Sequence, residues 1–376
     1  MGLEKRGHKK EMLSKNRNNN FWQGKKVLIT GHTGFKGSWL TLWLNELGAE
    51  ILGYALEPDC DKSLFNQLNL QEKCINKIEN ILDQKTLEKV ILDFSPDVVF
   101  HLAAQPLVGF SYKNPSLTWS VNVMGTIHVL EALRKIQKKV IALIITSDKV
   151  YKNFEWDYAY REDDKLGGDD PYSGSKAAVE IAVNSWRLSF CGNSSHQSKF
   201  LKIATARAGN VIGGGDWIES RIIPDLIDSL VKNKEVLLRN PLSTRPWQHV
   251  LEPLSGYLKL AERMYLQNQK YLESGFNFGP NIESNQTVKF LIKKCLIYWD
   301  GKFKELKQDN SPHEAGKLNV SIEKSFHKLN WKPTWDFETT VKKTILWYRN
   351  FLLDGVDPLS CCLNDLSDFE NQKNIN

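Results

Sequence analysis

The chain lacks the long apolar run that a membrane helix needs. Its longest, Val140–Ile145, has six residues, against about 20 for a span, so no membrane partner is expected. Cysteine is sparse: the six stand at 60, 74, 191, 295, 361 and 362, with no C-x-x-C pair and no Cys/His cluster at zinc spacing. Neither a disulfide framework nor a metal centre is signalled. Free thiols in a reducing cytoplasm are the expectation, and the Cys361–Cys362 pair reads as incidental. Excess charge is small too. The net charge is +6, and residues 1–20 supply +4 of it, with six Lys/Arg against two Glu. The rest is nearly balanced, which argues against a broad basic surface and a nucleic-acid partner. The opening stretch, "MGLEKRGHKKEMLSKNRNNN", lacks the apolar segment of a secretory leader and reads as a disordered basic tail over 1–20.

What remains is a chain that is 41% hydrophobic, enough for a large core. Apolar strands alternate with amphipathic helices. Val27–Thr30 is a short strand, Trp39, Leu40, Trp43, Leu44 and Leu47 recur at helical spacing, and Ile51–Leu56 is a second strand. The pattern repeats through "DVVFHLAAQ", a helix over Ser116–Ile136, "VIALIITS", a helix over Ser173–Ser189, and "FLKIATARAG". This alternation predicts an α/β fold with a doubly wound parallel (Rossmann) sheet over 21–209. After about Asn210 the segments shorten and Gly, Pro and Trp rise. Residues 210–355 are therefore expected to form a smaller C-terminal α/β region that binds substrate, with later segments returning to the sheet, and 356–376 a polar tail.

Gly31, Gly34 and Gly37 form G-x-x-G-x-x-G between the first strand and helix. Without Cβ atoms the turn tightens and its backbone approaches a pyrophosphate, while the helix N-terminus offers free N–H groups and partial positive charge. The strand–turn–helix setting makes this a dinucleotide cradle. An acidic residue usually ends the second strand to hold the ribose. Here Ala55 has that register, Glu57 lies two residues on, and no Arg follows immediately. NAD is expected over NADP. Asn80 and Ile81, after the third strand, are candidates to flank the adenine.

"YSGSK" places Tyr172 and Lys176 on one face at a helix start. A lysine cation would lower the tyrosine pKa from about 10. A phenolate could then take a hydroxyl proton while hydride leaves the same carbon.

"TGHTGFKG", "HLAAQ", "NVMGT" and "YSGSK" together resemble the extended short-chain dehydrogenase/reductase family over residues 21–350. The resemblance implies NAD contacts from Gly31, Thr33, Gly34, Phe35 and Gly37, from Leu102, Ala103, Ala104 and Gln105, and from Tyr172 and Lys176. It implies a nucleotide-sugar substrate and a homodimer made through a four-helix contact, for which the two long helices carry surplus apolar positions. Asn122, in "NVMGT", is expected to organise backbone near the site.

Within that family a simple 4-epimerase needs only the Tyr, the Lys and a hydroxyl residue. "SDK" at Ser147–Lys149 sits where sugar-nucleotide 4,6-dehydratases carry a hydroxyl residue, an acid and a base. The resemblance implies Ser147 on the sugar O4, Asp148 as a protonated acid and Lys149, in place of the more usual Glu, as the base. Three longer strings, "TSDKVY", "GNVIGGGDW" and "RPWQHVLEPLSGYL", are similar to the branch that acts on CDP-glucose, as are "SPHEA" at Ser311–Ala315 and "WKPTW" at Trp331–Trp335. They imply Asn210 and Arg245 on the pyrophosphate, with Gln105, Ser147, Arg221, Gln248 and His249 as further substrate contacts. His249 reads more readily as a structural hydrogen-bonding residue, and Trp217 and Trp247 as packing. The expected product is a CDP-4-keto-6-deoxyglucose plus water, made for deoxysugars of surface polysaccharide. A dTDP- or GDP-sugar dehydratase, a 4-epimerase and a noncatalytic NAD-binding sensor stay open as alternatives.

Overall fold

A computed structural model describes residues 20–192, 194, 197–306 and 316–375. Most of the expected basic tail and the string at Ser311–Ala315 lie outside the described residues. Seven strands form one parallel sheet: β1 (Lys26–Thr30), β2 (Glu50–Ala55), β3 (Ile75–Ile78), β4 (Val98–His101), β5 (Val140–Ile145), β6 (Leu201–Ala208) and β7 (Gly275–Phe278). Their order across the sheet is β7-β6-β5-β4-β1-β2-β3, every neighbour parallel. The chain therefore runs outward from β1 on one side, then restarts beside β1 with β4 and runs the other way. That reversal opens a crevice past the carboxyl ends of β1 and β4, the place where such sheets bind ligands.

Strand periodicity divides the core. In β5, Ile141, Leu143 and Ile145 face one cluster, and Val140, Ala142 and Ile144 the other, as alternation of Cβ direction requires. The second cluster is closed by α2 (Gln84–Phe94), α4 (Gly125–Leu133) and α5 (Pro171–Phe190) through Leu87, Ile91, Val129, Leu130, Val179 and Val183. The first is closed by α1 (Phe35–Glu46), α6 (Leu251–Leu266) and α7 (Phe337–Leu352), rich in Trp and Leu. The long helix expected over Ser116–Ile136 is α3 (Pro115–Trp119) running into α4 through a π-helical turn, Ser120–Met124. Such turns re-aim side chains and often mark functional positions.

Beyond β6 the chain makes three small two-stranded pairings: Val211–Ile212 with Gln248–His249, Thr244–Pro246 with Asn285–Thr287, and Val236–Leu238 with Phe303–Glu305. β7 returns to the main sheet.

The polar tail expected over 356–376 is instead a helix, α8 (Pro358–Ile375). Cys361, Cys362, Leu366 and Phe369 are buried in the first core cluster, so the cysteine pair is packing material rather than incidental. Phe369 meets the rings of Trp43 and Trp335 edge-on at 5.8 and 5.1 Å, and Trp43 Nε1 donates to Glu370 at 3.0 Å. Apart from Leu363, the residues between the buried ones are polar, which lowers average hydropathy without removing the apolar stripe. Phe369→Ala is expected to destabilise the fold by about 3–5 kcal/mol, read from denaturant midpoints. Leu266→Ala, at a residue 65% exposed, is expected to stay within about 0.5 kcal/mol of the parent.

Candidate active site

The glycine turn leaves no room for a side chain at Gly31 or Gly37. Gly31 has φ +75, and a Cβ there would sit 2.7 Å from Ala103 N; one on Gly37 would sit 2.1 Å from Gly31 O. Gly34 caps α1 with extended backbone and no side chain, so the first amides of α1 face the crevice. Thr33 Oγ1 donates to Leu56 O at 3.0 Å and ties the turn to the end of β2. Phe35 is buried in the core, so its backbone amide rather than its ring is what it can offer the crevice. Across the crevice, the strand end Leu102–Gln105 closes the other wall: Ala103 N donates to Thr30 Oγ1 at 3.2 Å, and Ala104 follows in the same partly buried stretch. Ile81 is buried beneath Gly125, and Asn80, exposed, accepts from Tyr54 Oη through its carbonyl at 3.2 Å. Ala55 ends β2 buried, while Glu57 is exposed.

The start of α5 is dictated locally. Asp170 accepts from Ser173 N at 2.9 Å and Pro171 takes the first turn, a cap and an N1 proline where each is preferred. That start puts Tyr172, 8% exposed, and Lys176, 6% exposed, at the mouth of β5. Asn122, in the π-turn, donates to Ser175 Oγ at 2.8 Å and to Gln105 O at 3.2 Å, and accepts from Gln105 N at 2.8 Å. One buried amide thus fixes the β4 loop against the helix that carries Tyr172. Gln105 spends its own side chain on Thr118 Oγ1, at 2.9 Å, and on Leu107 N.

β5 ends at Ile145, and Asp148–Val150 make a single 3₁₀ turn. Ser147 caps it, accepting from Lys149 N at 3.2 Å and donating to Asp148 Oδ1 at 3.0 Å. Asp148 is 2% exposed and its Oδ2 has no hydrogen-bond partner. A Cβ on Gly209 would fall 2.6 Å from that oxygen, so a glycine after β6 is what makes room for it. Burial raises the Asp148 carboxyl above the carboxylate range, against the pull of Lys149, the Ser147 hydroxyl, Arg245 and Lys36. A carboxyl held neutral is a proton donor. Tyr172 lies opposite, hydrogen-bonded to Ser147.

The lysine-lowered tyrosine expected from Y-x-x-x-K is not what the fold makes. Burial lifts the Tyr172 phenol to about 12, with the Ser147 hydrogen bond and Arg221 pulling the other way and Asp148 adding to the rise. Lys176 is itself desolvated, to about 8, helped by Lys36, and its Nζ points to Ile145 O at 3.4 Å.

The substrate-side residues divide. Arg245 is buried, bonded to Thr244 O at 2.9 Å, and its charge reaches Asp148. Arg221 pairs with Asp216 at 2.9 Å and its charge reaches Tyr172. Asn210, partly buried, follows β6. Gln248 and His249 do not join them. Gln248 donates to Phe278 O at 3.0 Å within the core. His249 is fully buried between Trp335 and Trp39, at 4.8 and 6.0 Å, with its pKa lowered to about 3 by burial and by Lys343. Both belong to the packing behind the site. Trp217 and Trp247 also pack, with their indole N–H groups on Gln67 and Gln286.

A family profile described as GDP-mannose 4,6 dehydratase matches residues 28–344. The chain belongs to that family. CDP-glucose 4,6-dehydratase from Salmonella typhimurium is 45% identical over 351 residues, covering 93% of this chain and 97% of that protein. Two solved structures share the fold: dTDP-glucose 4,6-dehydratase from Bacillus anthracis in complex with NAD (TM-score 0.71, 19% identity, 89% of this chain and 100% of that one) and UDP-glucose 4-epimerase from Thermotoga maritima with UDP-glucose (TM-score 0.72, 20%, 87% and 99%).

Lys36, inside the glycine turn of this family member, was not among the residues expected to act. Desolvation lowers its pKa to about 8, with Asp148 pulling it up and Arg221 pushing it down. A lysine within a turn otherwise built for closeness, "GFKG", was the available signal.

The folded-state pKa of Asp148 lies above the unfolded one. Its stabilising share is therefore present below the ordinary aspartate range and is lost as pH rises through the raised value. Asp148→Asn removes the penalty. The variant should gain in unfolding temperature relative to the parent as pH rises from about 4 into the neutral range. A difference that shrinks over that range would contradict the burial of this carboxyl.

Proposed function

We propose that the chain is a hydro-lyase that converts CDP-glucose to CDP-4-keto-6-deoxyglucose, with NAD as its resident cofactor. The observation that carries the reaction type is the Ser147–Asp148–Lys149 turn, with its buried carboxyl whose pKa burial raises, set opposite Tyr172. An epimerase has no step for that acid. The choice of CDP-glucose is supported by the 45% identical Salmonella relative, aligned over 97% of its length.

The cradle fits a dinucleotide. Gly31, Gly34 and Gly37 leave its backbone open, Thr33 and the first amides of α1 line it, and Leu102–Gln105 form the facing wall. A nicotinamide dinucleotide held there would supply hydride acceptance for the oxidation at the sugar C4 and hydride donation for the reduction at C6. Tyr172 withdraws the proton of the C4 hydroxyl, with Ser147 bridging it to the sugar oxygen and Lys176 and Lys36 supplying positive charge nearby. With C4 as a carbonyl, the C5 proton is acidic, and Lys149 accepts it, a role that requires its uncharged amine. Asp148 donates its proton to the departing C6 hydroxyl. The water leaves, Lys149 returns a solvent-exchangeable proton to C5 as C6 gains hydride, and Asp148, left ionised among Lys149, Arg245 and Lys36, is reprotonated, the proton that Tyr172 took from the C4 hydroxyl balancing the one lost with water. Arg221 and Arg245 are placed to hold the diphosphate, Arg by its fork, with Asn210 beside them. Asn80 and Ile81 flank the adenine end.

Incubation with CDP-glucose and NAD in deuterated water should give a 4-keto-6-deoxy product with deuterium at C5. Lys149→Ala and Asp148→Asn should each lower kcat by about 10²–10⁴-fold while leaving CDP-glucose binding within severalfold. A product that keeps its C6 hydroxyl, or turnover only of dTDP- or GDP-sugars, would overturn the reaction or the nucleotide respectively.

Two further readings complete the proposal. Leu117, Trp119 and Met124 around the π-turn, and Ile181 and Leu188 on α5, are 43–66% exposed, an apolar surface of the size partners cover. We read it as the homodimer contact, with four helices about a two-fold axis. Ile181→Glu should shift sedimentation toward the monomer. The free cysteines among the described residues suit the cytoplasm, where nucleotide sugars for surface polysaccharide are made.

A further inference from the structure

Tyr172 and Lys176 have a third member on their helix face. Glu180, one further turn along α5, is 5% exposed and lies under the site without reaching it. Both carboxylate oxygens are doubly engaged. Oε1 accepts from Thr146 Oγ1 at 2.5 Å and from Arg207 Nε at 3.0 Å; Oε2 accepts from Thr205 Oγ1 and Arg207 Nη2, each at 2.8 Å. Arg207, on β6, is 5% exposed. Its remaining nitrogen, Nη1, donates to Tyr151 Oη and to Glu162 O, each at 2.8 Å. Tyr151 Oη in turn donates to Asn277 Oδ1 on β7 at 2.6 Å. Burial alone would raise the Glu180 carboxyl, but Arg207 and the hydroxyl donors hold it below its ordinary value, so the pair is ionic.

Two of the residues gripped by this pair bracket the turn. Thr146 precedes Ser147, Asp148 and Lys149, and Tyr151 follows Val150. β5 has already ended at Ile145, so sheet hydrogen bonds continue only as far as Thr146 N on Ala206 O, 2.9 Å. A buried ion pair is poor value as glue, since apolar residues of similar volume often stabilise as well or better. Its partners here are the flanks of one turn and the helix bearing Tyr172.

We propose that the Glu180–Arg207 pair is a positioning device: it clamps the Ser147–Asp148–Lys149 turn at Thr146 and Tyr151 and so sets it in register with Tyr172 and Lys176 on α5. Glu180 and Arg207 touch no reacting atom. They act through the two flanking hydroxyls, and the ionised Glu180 also pulls Lys176 back toward its charged form against desolvation. The inference rests on the dehydratase reading, because only that reaction needs both residue sets on one sugar.

The test removes single hydroxyls and leaves the ion pair in place. Thr146→Val and Tyr151→Phe are assayed with CDP-glucose and NAD beside the parent and Thr146→Ser. The expected result is a fall in kcat of about 10–100-fold in each, the cost of a small misplacement of catalytic groups, with KM within about threefold. Thr146→Ser, which keeps the hydroxyl, should recover most of the rate. Unchanged kcat in both hydroxyl-free variants overturns the proposal, as does a lower unfolding temperature with no loss of kcat, or equal rates for Thr146→Ser and Thr146→Val. A parent that leaves CDP-glucose undehydrated sinks the dehydratase reading itself, and this inference with it.

Discussion

Desolvation at the carboxyl end of β5 is the constraint on which the rest of the site depends. Four ionisable groups, Lys36, Asp148, Tyr172 and Lys176, meet there with little water, and burial is the largest influence on each. It pushes all four toward their neutral forms: the carboxyl and phenol up, the two ammonium groups down. In water a carboxyl near neutral pH cannot donate a proton and a lysine cannot give up its charge easily. Here the same burial shifts the Asp148 carboxyl toward its protonated form and lowers the pKa of both lysines to about 8.

The sheet makes that burial possible. Residues from the glycine turn, the end of β4, the turn after β5, the start of α5 and the stretch after β6 converge because parallel strands all present their carboxyl ends to one edge. Each contributor is set by a local device: the absent Cβ atoms of Gly31 and Gly37, the Asp170–Pro171 cap, the Ser147 cap, the space left by Gly209. Asn122 then joins two of them with one side chain, and the π-turn that carries it departs from the uninterrupted helix that apolar spacing suggests.

Legibility followed how local the cause was. G-x-x-G-x-x-G could be read because steric closeness demands glycine whatever surrounds it. Tyr172 and Lys176 could be paired because i and i+4 share a helix face. The direction of the Tyr172 shift could not, since it depends on how much protein covers the ring, and coverage outweighed the neighbouring lysine. Gln248 and His249 stand three and four residues from Arg245, yet a two-residue strand turns Gln248 onto Phe278 O and His249 into an aromatic slot walled by Trp39 and Trp335, nearly 300 positions apart in sequence. The final helix had a readable signal in Cys362, Leu366 and Phe369 at spacings of four and three. Its many polar residues masked it, and only the surface of α1 and α7 supplies a reason for those three to be buried.

By itself the sequence pointed to the class of sheet, the glycine cradle and the Tyr–Lys pair through residue type and short-range spacing, and to the Ser–Asp–Lys set through its resemblance to 4,6-dehydratases. Tertiary structure decided which polar residues face the crevice and which the core, which protonation states burial favours, and that Glu180 and Arg207 lie between the Ser147–Lys149 turn and the helix start that carries Tyr172 and Lys176. Those outcomes turn on what packs over a residue. No local pattern records the desolvation that a distant strand or helix imposes.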